Sequence, residues 1–357
     1  MIEEFLKSEK IAIDNELAEY FSYLNNDENE ILLKDFFSQI QNFILNKKAK
    51  RLHPILLIAA FSGIVNPNNV GDQLDQIRKV SLAVELLHSG YLIHDDLIDD
   101  DLKRRNKPTF HVQLQDELNK VLDNIDRPNK EEFIKMYGRD MSILGGTQGY
   151  LLGLDMIKAS RFSDNLKLRA INEYTTAMDS LMKGQIIEEY MYYHNITMSL
   201  EQYLAIAEMQ RASLLEKSAK IGAILAKGNL HYQIDPLSKA MNLMGQAFAI
   251  RDDIIDIKTD IKAKKKKIVY IFAVQNTDED QSKTLNEIFH LDELSKNDVN
   301  TVETIFAETN AVIIAEHFSK NLINQAKASL KNIYPDLNKN QKIFFNEFSD
   351  FMYMREF

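Results

Sequence analysis

The 357-residue chain has no cysteine, which excludes disulfides and thiolate-held metals and fits a cytoplasmic protein. Glycine and proline are scarce, at 12 and 6 residues, so little punctuates the chain into strands or flexible linkers. Long apolar runs are also missing. The longest, ILLIAAFSGIV from Ile55 to Val65, falls well short of the roughly 20 residues that span a bilayer. The opening stretch, MIEEFLKSEK, carries acids where a secretory signal carries bases, and no apolar core follows it. Basic charge is not in excess either. A net charge of -10 argues against nucleic acid as a partner, because phosphate backbones need a basic face.

What is present is helical texture. Apolar residues recur at three- and four-residue spacing almost everywhere, leaving little room for strands. At 45% hydrophobic the chain can bury a large core. Loops are expected at Val65–Gly71, near Arg127 and Pro128, at Lys227–Asn229 and around Tyr334–Asn338. No repeat of the solenoid kind is visible. The expectation is a single all-α domain over residues 1–357.

Two acid clusters stand out. DDLIDDD, residues 95–101, is followed by the adjacent Arg104 and Arg105. Leu74, Ile77, Val80, Val84, Leu87 and Tyr91 keep helical spacing towards it, which puts Asp95, Asp96 and Asp99 on the last turns of a long buried helix. Residues four apart share a face about 6 Å apart along the axis. Asp95 and Asp99 can therefore grip one ion, with Asp96 to one side. The same spacing returns in RDDIID, which holds Asp252, Asp253 and Asp256. A single such triplet is more often a solvated helix face. Here LLHSGYLIHDDLI and LMGQAFAIRDDII bring both triplets straight out of apolar sequence, where carboxylates are costly unless a cation compensates them.

Oxygen ligands without cysteine point to a hard cation, and the expectation is magnesium shared with a phosphorylated substrate. Basic groups lie close in sequence: Arg104 and Arg105 after the first cluster, and Lys50 and Arg51 ahead of Pro54. Arginine forks match diphosphate oxygens. A diphosphate held in an aliphatic and aromatic pocket is the chemistry implied.

In KRLHP (50–54), ELLHSGYLIHDDLID with its following RR (85–105), GQIIEE (184–189) and AFAIRDDIIDIKTD (247–260) the chain resembles the all-trans polyprenyl diphosphate synthases, which include farnesyl and geranylgeranyl diphosphate synthases. The resemblance implies the isoprenoid synthase fold, an antiparallel helix bundle around a central cavity, usually in a homodimer. It implies that Asp95, Asp99 and Asp252 are the main ligands of three magnesium ions, with Asp96, Asp253 and Asp256 nearby. It also implies that isopentenyl diphosphate attacks an allylic cation formed as the diphosphate of an allylic prenyl diphosphate departs. Lys50, His88 and Arg105 match positions that hold isopentenyl diphosphate; Arg104 matches one that holds the allylic diphosphate, and Gln185 lies in the G-Q-x-x-D motif with Glu188 as its acid. A lone histidine on an apolar helix is ordinarily a core residue, yet His88 sits seven residues before Asp95 on the same face. His94 reads as structural. The lysines 264–267 would ordinarily be a solvated run, and one of them is a candidate to close over the diphosphate. Tyr91, one turn below Asp95, would plug the tail's path and favour a geranylgeranyl or farnesyl product, with Gly90 leaving space beside it.

Departures from the family pattern are concentrated around diphosphate binding. His53 stands where an arginine is usual, after Ala49 and Lys50; it loses the bidentate fork and would be only partly charged near neutrality. Gln210 and Arg211 replace a Lys-Thr pair, Phe248 and Ala249 replace Phe-Gln, and the loop after Asp260 is a glycine-free IKAKKKK. A segment of roughly twenty residues around Gln115–Lys135 reads as an insertion relative to the family. Three readings stay open: a chain-elongating synthase, a terpene synthase that ionises a prenyl diphosphate without condensing it, and a weakly active regulatory subunit of a heteromeric synthase.

Overall fold

Periodicity resolves into helices at nearly every point in the computed structural model, which describes residues 2–123 and 125–354. The helices are α1 (Ile2–Asp27), α2 (Ile31–Ile44), α3 (Leu52–Ile64), α4 (Val70–Ile98), α5 (Phe110–Val121), α6 (Lys130–Lys158), α7 (Asp164–Tyr193) and α8 (Leu200–Ala207). They continue with α9 (Ser213–Leu225), α10 (Asp235–Ile255), α11 (Ile257–Lys262), α12 (Ile268–Asn276), α13 (Glu279–Phe289), α14 (Lys296–Glu308), α15 (Ala311–Lys331) and α16 (Lys339–Met354). The chain divides into two units, one of residues up to 174 together with 221–227, the other of 175–220 and from 228 onward. No helix among the described residues is long and apolar enough to cross a membrane.

In the first unit α3 is apolar on every side, and Pro54 through Gly63 are all buried, as expected of a helix enclosed in a core. Pro54 is tolerated because first-turn N–H groups have no intrahelical acceptor. The stretch expected as a loop at 65–71 is shorter than that. A 3-10 turn at Pro67–Asn69, in which the Asn66 side chain accepts from the Asn68 N–H, leads into α4 at Val70. Ile77, Val80, Val84 and Leu87 of α4 have no exposure at all, so its apolar spacing does face core.

Helix α4 also packs tightly on α6. A β-carbon at Gly90 would sit 2.5 Å from the Gly146 carbonyl oxygen and 3.0 Å from the Tyr150 ring, so glycine is what permits this approach. His94 ties the same helices, with Nε2 3.0 Å from the Ile143 carbonyl and Nδ1 3.2 Å from the Tyr150 hydroxyl, which matches its structural reading. One short sheet interrupts the helices: β1 (Lys103–Arg104) pairs antiparallel with β2 (Lys107–Pro108). Its turn places Arg105 and Asn106 at positive φ, a detail that helical periodicity cannot reveal.

In the second unit α10 lies against α15, tied by Ser319 Oγ donating to the Ala247 carbonyl (3.0 Å) and Ser329 Oγ to that of Pro236 (2.8 Å). Capping boxes at Ser199/Gln202, Asp278/Gln281 and Ser295/Asp298 fix the starts of α8, α13 and α14 by satisfying first-turn N–H groups. A π-helical turn, Glu208–Ala212, links α8 to α9.

Candidate active site: two acid clusters and a basic pocket

The first cluster forms where α4 ends. Asp95 is half-buried, Asp96 fully buried and Asp99 exposed. Asp99 falls one residue past the helix rather than on its last turn, although its N–H still bonds the Asp95 carbonyl at 2.9 Å. Arg104 reaches back from the hairpin, donating through Nε to Asp96 Oδ1 and through Nη2 to Asp95 Oδ2 at 3.1 Å. Burial pushes the Asp96 carboxyl up to about 7; Arg104 pulls it down, and the charges of Asp95 and Asp101 add to the rise.

The second cluster repeats this arrangement at the end of α10. Asp252 is half-buried, Asp253 buried and Asp256 exposed, and the Asp256 N–H bonds the Asp252 carbonyl at 2.9 Å. Again a cation holds the middle acid: Lys267 Nζ lies 3.0 Å from Asp253 Oδ1 and 3.4 Å from Asp260 Oδ1. Burial works against the Lys267 charge, but Asp253 and Asp260 outweigh it and hold the ammonium above its ordinary range. Tyr203 on α8 donates its hydroxyl to Asp253 Oδ2 at 2.6 Å. Burial pushes the Asp260 carboxyl up to about 6. Nothing in the sequence around Tyr203 signals this role, since it lies 50 positions from Asp253.

A basic group assembles within the first unit around α3 and α4. His53 and His88 face each other with ring centroids 4.4 Å apart. Burial pushes His53 down to about 4; Glu85 pulls it up and Arg105 adds to the lowering. The imidazole is therefore neutral at pH 7 rather than partly charged, because its surroundings offer too little water to solvate a cation. Burial also lowers Arg105 from its usual range, against Glu85. Arg51 does not serve as a diphosphate contact. Its Nε bonds Asp14 (2.8 Å), Nη1 bonds Glu85 and Nη2 bonds the Ile44 carbonyl (2.7 Å).

Gln185, on α7, donates to Glu189 Oε1 at 3.1 Å. Gln210, in the π-helical turn, donates to Gln185 Oε1 (3.2 Å) and to Glu188 Oε2 (2.7 Å). The replacement of a lysine here by Gln210 thus builds a neutral bridge across the GQIIEE segment. Arg211, next in the turn, lowers both the Tyr203 and Lys267 values through its charge, so its guanidinium acts on the second acid cluster. The lysine run is neither free nor merely solvated. Lys264 donates to the Leu291 carbonyl (2.7 Å), Lys266 to Asn195 Oδ1 (3.0 Å), and Lys267 to Asp253 as described.

Tyr91 is buried at 5% exposure. The space expected beside it at Gly90 is absent on that side, because Gly146 and Tyr150 of α6 fill it. A cavity of about 620 Å³ in this unit lies lower on α4, among Glu16, Tyr20, Lys79 and Arg161, and none of the motif aspartates lines it.

Magnesium suits this donor set. Every candidate ligand is a carboxylate, and Asp96 Oδ2 is buried with no hydrogen-bond partner among the described residues. Among those residues no three His, Asp or Glu side chains converge on one ion position.

Comparison with known proteins shows the family and the fold. Residues 34–308 match the family model described as polyprenyl synthetase. The chain is 28% identical over 288 residues to a short chain isoprenyl diphosphate synthase of Methanocaldococcus jannaschii, covering 77% of this chain and 75% of that one. It is 24% identical over 311 residues to a geranylgeranyl diphosphate synthase of Saccharolobus solfataricus, covering 82% and 84%. In fold it is similar to geranylgeranyl pyrophosphate synthase from Corynebacterium glutamicum, solved with isoprenyl diphosphate and magnesium (TM-score 0.85, 20% identity, all of both chains). It is also similar to the geranylgeranyl pyrophosphate synthetase of Pyrococcus horikoshii (TM-score 0.80, 22% identity, 99% of both chains). The fold is that of the isoprenyl synthases, and the chain belongs to the polyprenyl synthetase family of prenyltransferases.

Proposed function

We propose that the protein condenses isopentenyl diphosphate head-to-tail with an allylic prenyl diphosphate in a magnesium-dependent reaction, making a short all-trans product, geranylgeranyl or farnesyl diphosphate. One observation carries this reading. In each acid triplet the middle aspartate is buried on an internal cation, Arg104 or Lys267, while its neighbours Asp95, Asp99, Asp252 and Asp256 are more open. An acid so anchored fixes the helix end; the flanking pair is then directed outward as ligands. The names of the relatives and the magnesium and isoprenyl diphosphate bound in the Corynebacterium glutamicum protein support it. Magnesium bound there would draw charge off the departing diphosphate. Arg104, bonded through Nε and Nη2, retains Nη1 for a diphosphate oxygen. Lys50, His53, His88 and Arg105 would hold isopentenyl diphosphate, Gln185 and Arg211 would line the allylic side, and the apolar walls would keep water from the allylic cation.

Two finer points belong to this proposal. Tyr91 would stop the growing tail, so Tyr91→Ala should lengthen the product; an unchanged product distribution would remove it. Second, α6 exposes Met136, Ile143, Leu144 and Leu151, at 44%, 49%, 57% and 53%, along one side at helical spacing, a face that a second copy of the chain would cover. We read the chain as a single domain because α7 and α9 each run unbroken across a unit boundary.

The neutral His53 favours one second reading, a terpene synthase that ionises an allylic diphosphate without condensing it. The experiment that tests the proposed chemistry is diphosphate release from geranyl plus isopentenyl diphosphate, with and without magnesium. Asp95→Ala and Asp252→Ala should each slow turnover at least about a hundredfold. Full turnover in either variant, or with the metal chelated, would refute the metal-ligand assignment.

A further inference from the structure

Residue 51 has a backbone that most side chains avoid. Arg51 precedes α3 at φ 56° and ψ 33°, left-handed values that non-glycine residues rarely adopt. Its guanidinium explains how the conformation is held. It is 2% exposed and clamped by three elements: Asp14 on α1, the terminal carbonyl of α2 at Ile44, and Glu85 on α4. Burial opposes its charge, yet Glu85 and Asp14 hold it above its ordinary value.

Glu85 has a wider reach than this one bond. It is 2% exposed, and its Oε2 has no hydrogen-bond partner among the described residues. Its charge acts on Arg105 and on His53. It also lies three residues before His88 on α4, on the same face. One carboxylate on α4 thus ties down Arg51, which stands between Lys50 and the first turn of α3 that carries His53.

We infer that Arg51 and Glu85 are positioning residues for the diphosphate-binding group, Glu85 and Asp14 holding the Arg51 guanidinium so that the clamp fixes the direction in which Lys50 and His53 leave the chain. This rests on the reading of Lys50, His53, His88 and Arg105 as the isopentenyl diphosphate site. Neither positioning residue touches substrate. Arg51 cannot be replaced by lysine in this role, because one ammonium cannot fork across three acceptors on three elements.

Charge and position make opposite predictions, so the two can be separated. Glu85→Gln removes a negative charge beside a site for an anion; a through-space effect alone would tighten isopentenyl diphosphate binding. Loss of position would weaken it. Arg51→Lys keeps the net charge and should leave affinity unchanged unless geometry matters. The test is the KM for each substrate, the other being saturating, in a labelled condensation assay on Glu85→Gln, Arg51→Lys and the milder Asp14→Asn, with melting temperatures. Lys50→Ala and Arg105→Ala are the controls.

The expected result is a rise of about tenfold or more in the isopentenyl diphosphate KM for Glu85→Gln and Arg51→Lys, with the allylic KM within about twofold. Should either fail to fold, Asp14→Asn carries the test through a smaller rise in the same KM alone. An unchanged or lowered isopentenyl KM in these variants, while Lys50→Ala and Arg105→Ala raise it, overturns the inference and leaves the site reading intact. Equal rises in both KM values with a lower melting temperature also overturn it, as a general structural effect. No response to Lys50→Ala and Arg105→Ala would remove the site reading and the inference with it.

Discussion

His53 concentrates the difference between what this chain keeps and what it has changed. A half-buried imidazole pushed down to about 4 is neutral at pH 7, so it contributes a hydrogen bond to a diphosphate and no charge. His53→Gln should therefore leave the isopentenyl diphosphate KM at pH 7 within about twofold, whereas His53→Arg should lower it about tenfold, a charge-assisted bond being worth roughly 1.5–3 kcal/mol. The Glu85 oxygen that has no hydrogen-bond partner among the described residues is available to receive that new guanidinium. Steady-state kinetics on both variants checks this, and a higher KM for His53→Arg would contradict it. The same histidine bears on stability. Its folded value lies below the ordinary 6.5, so the unfolded chain takes up a proton that the folded chain refuses. Its contribution is intact above pH 6.5 and is lost progressively as pH falls from 6.5 towards 4. Melting temperatures at pH 7 and pH 4.5 should differ less in His53→Gln than in the unaltered protein; equal differences would show that His53 does not titrate this way.

At the scale of elements, the seam between α4 and α6 is the sharpest constraint. Gly90→Ala would drive a β-carbon to 2.5 Å from a backbone oxygen that cannot rotate away. Overpacking of this kind costs about 1–3 kcal/mol, so its melting temperature should drop by several degrees. Gly71→Ala is the contrast: nothing lies within 4 Å of that position, and replacing a helical glycine stabilises by about 0.5–1 kcal/mol. Equal effects in the two variants would contradict the seam. The existence and type of α4 and α10 are legible in the sequence because each carries an apolar period over several turns, and α3 because it is a continuous apolar run headed by Pro54. The close approach of Gly90 to Gly146 is not, since it depends on which distant segment packs there. The hairpin carrying Arg104 and Arg105 is hidden too, being two residues per strand, below any period. The paired aspartates are legible by type and spacing. Their burial order and the cations on Asp96 and Asp253 are not, because spacing alone does not say which acid turns inward or which of lysines 264–267 reaches it.

At the scale of the whole molecule, the exposed apolar side of α6 and the survival of both acid triplets make separable claims. If a second copy covers Leu144 and Leu151, then Leu144→Glu with Leu151→Glu should halve the sedimenting mass; a mass the change does not alter would place the interface elsewhere. Chain elongation is the central claim, and it is tested most directly by following labelled isopentenyl diphosphate. Purified protein, magnesium and, in turn, dimethylallyl, geranyl or farnesyl diphosphate are incubated with the label, and the diphosphate and hydrocarbon fractions are separated by chromatography. Labelled prenyl diphosphates longer than the starter, ending at the farnesyl or geranylgeranyl length, are the predicted result. Diphosphate release accompanied only by unlabelled hydrocarbons or alcohols, or no reaction with any starter, would contradict it.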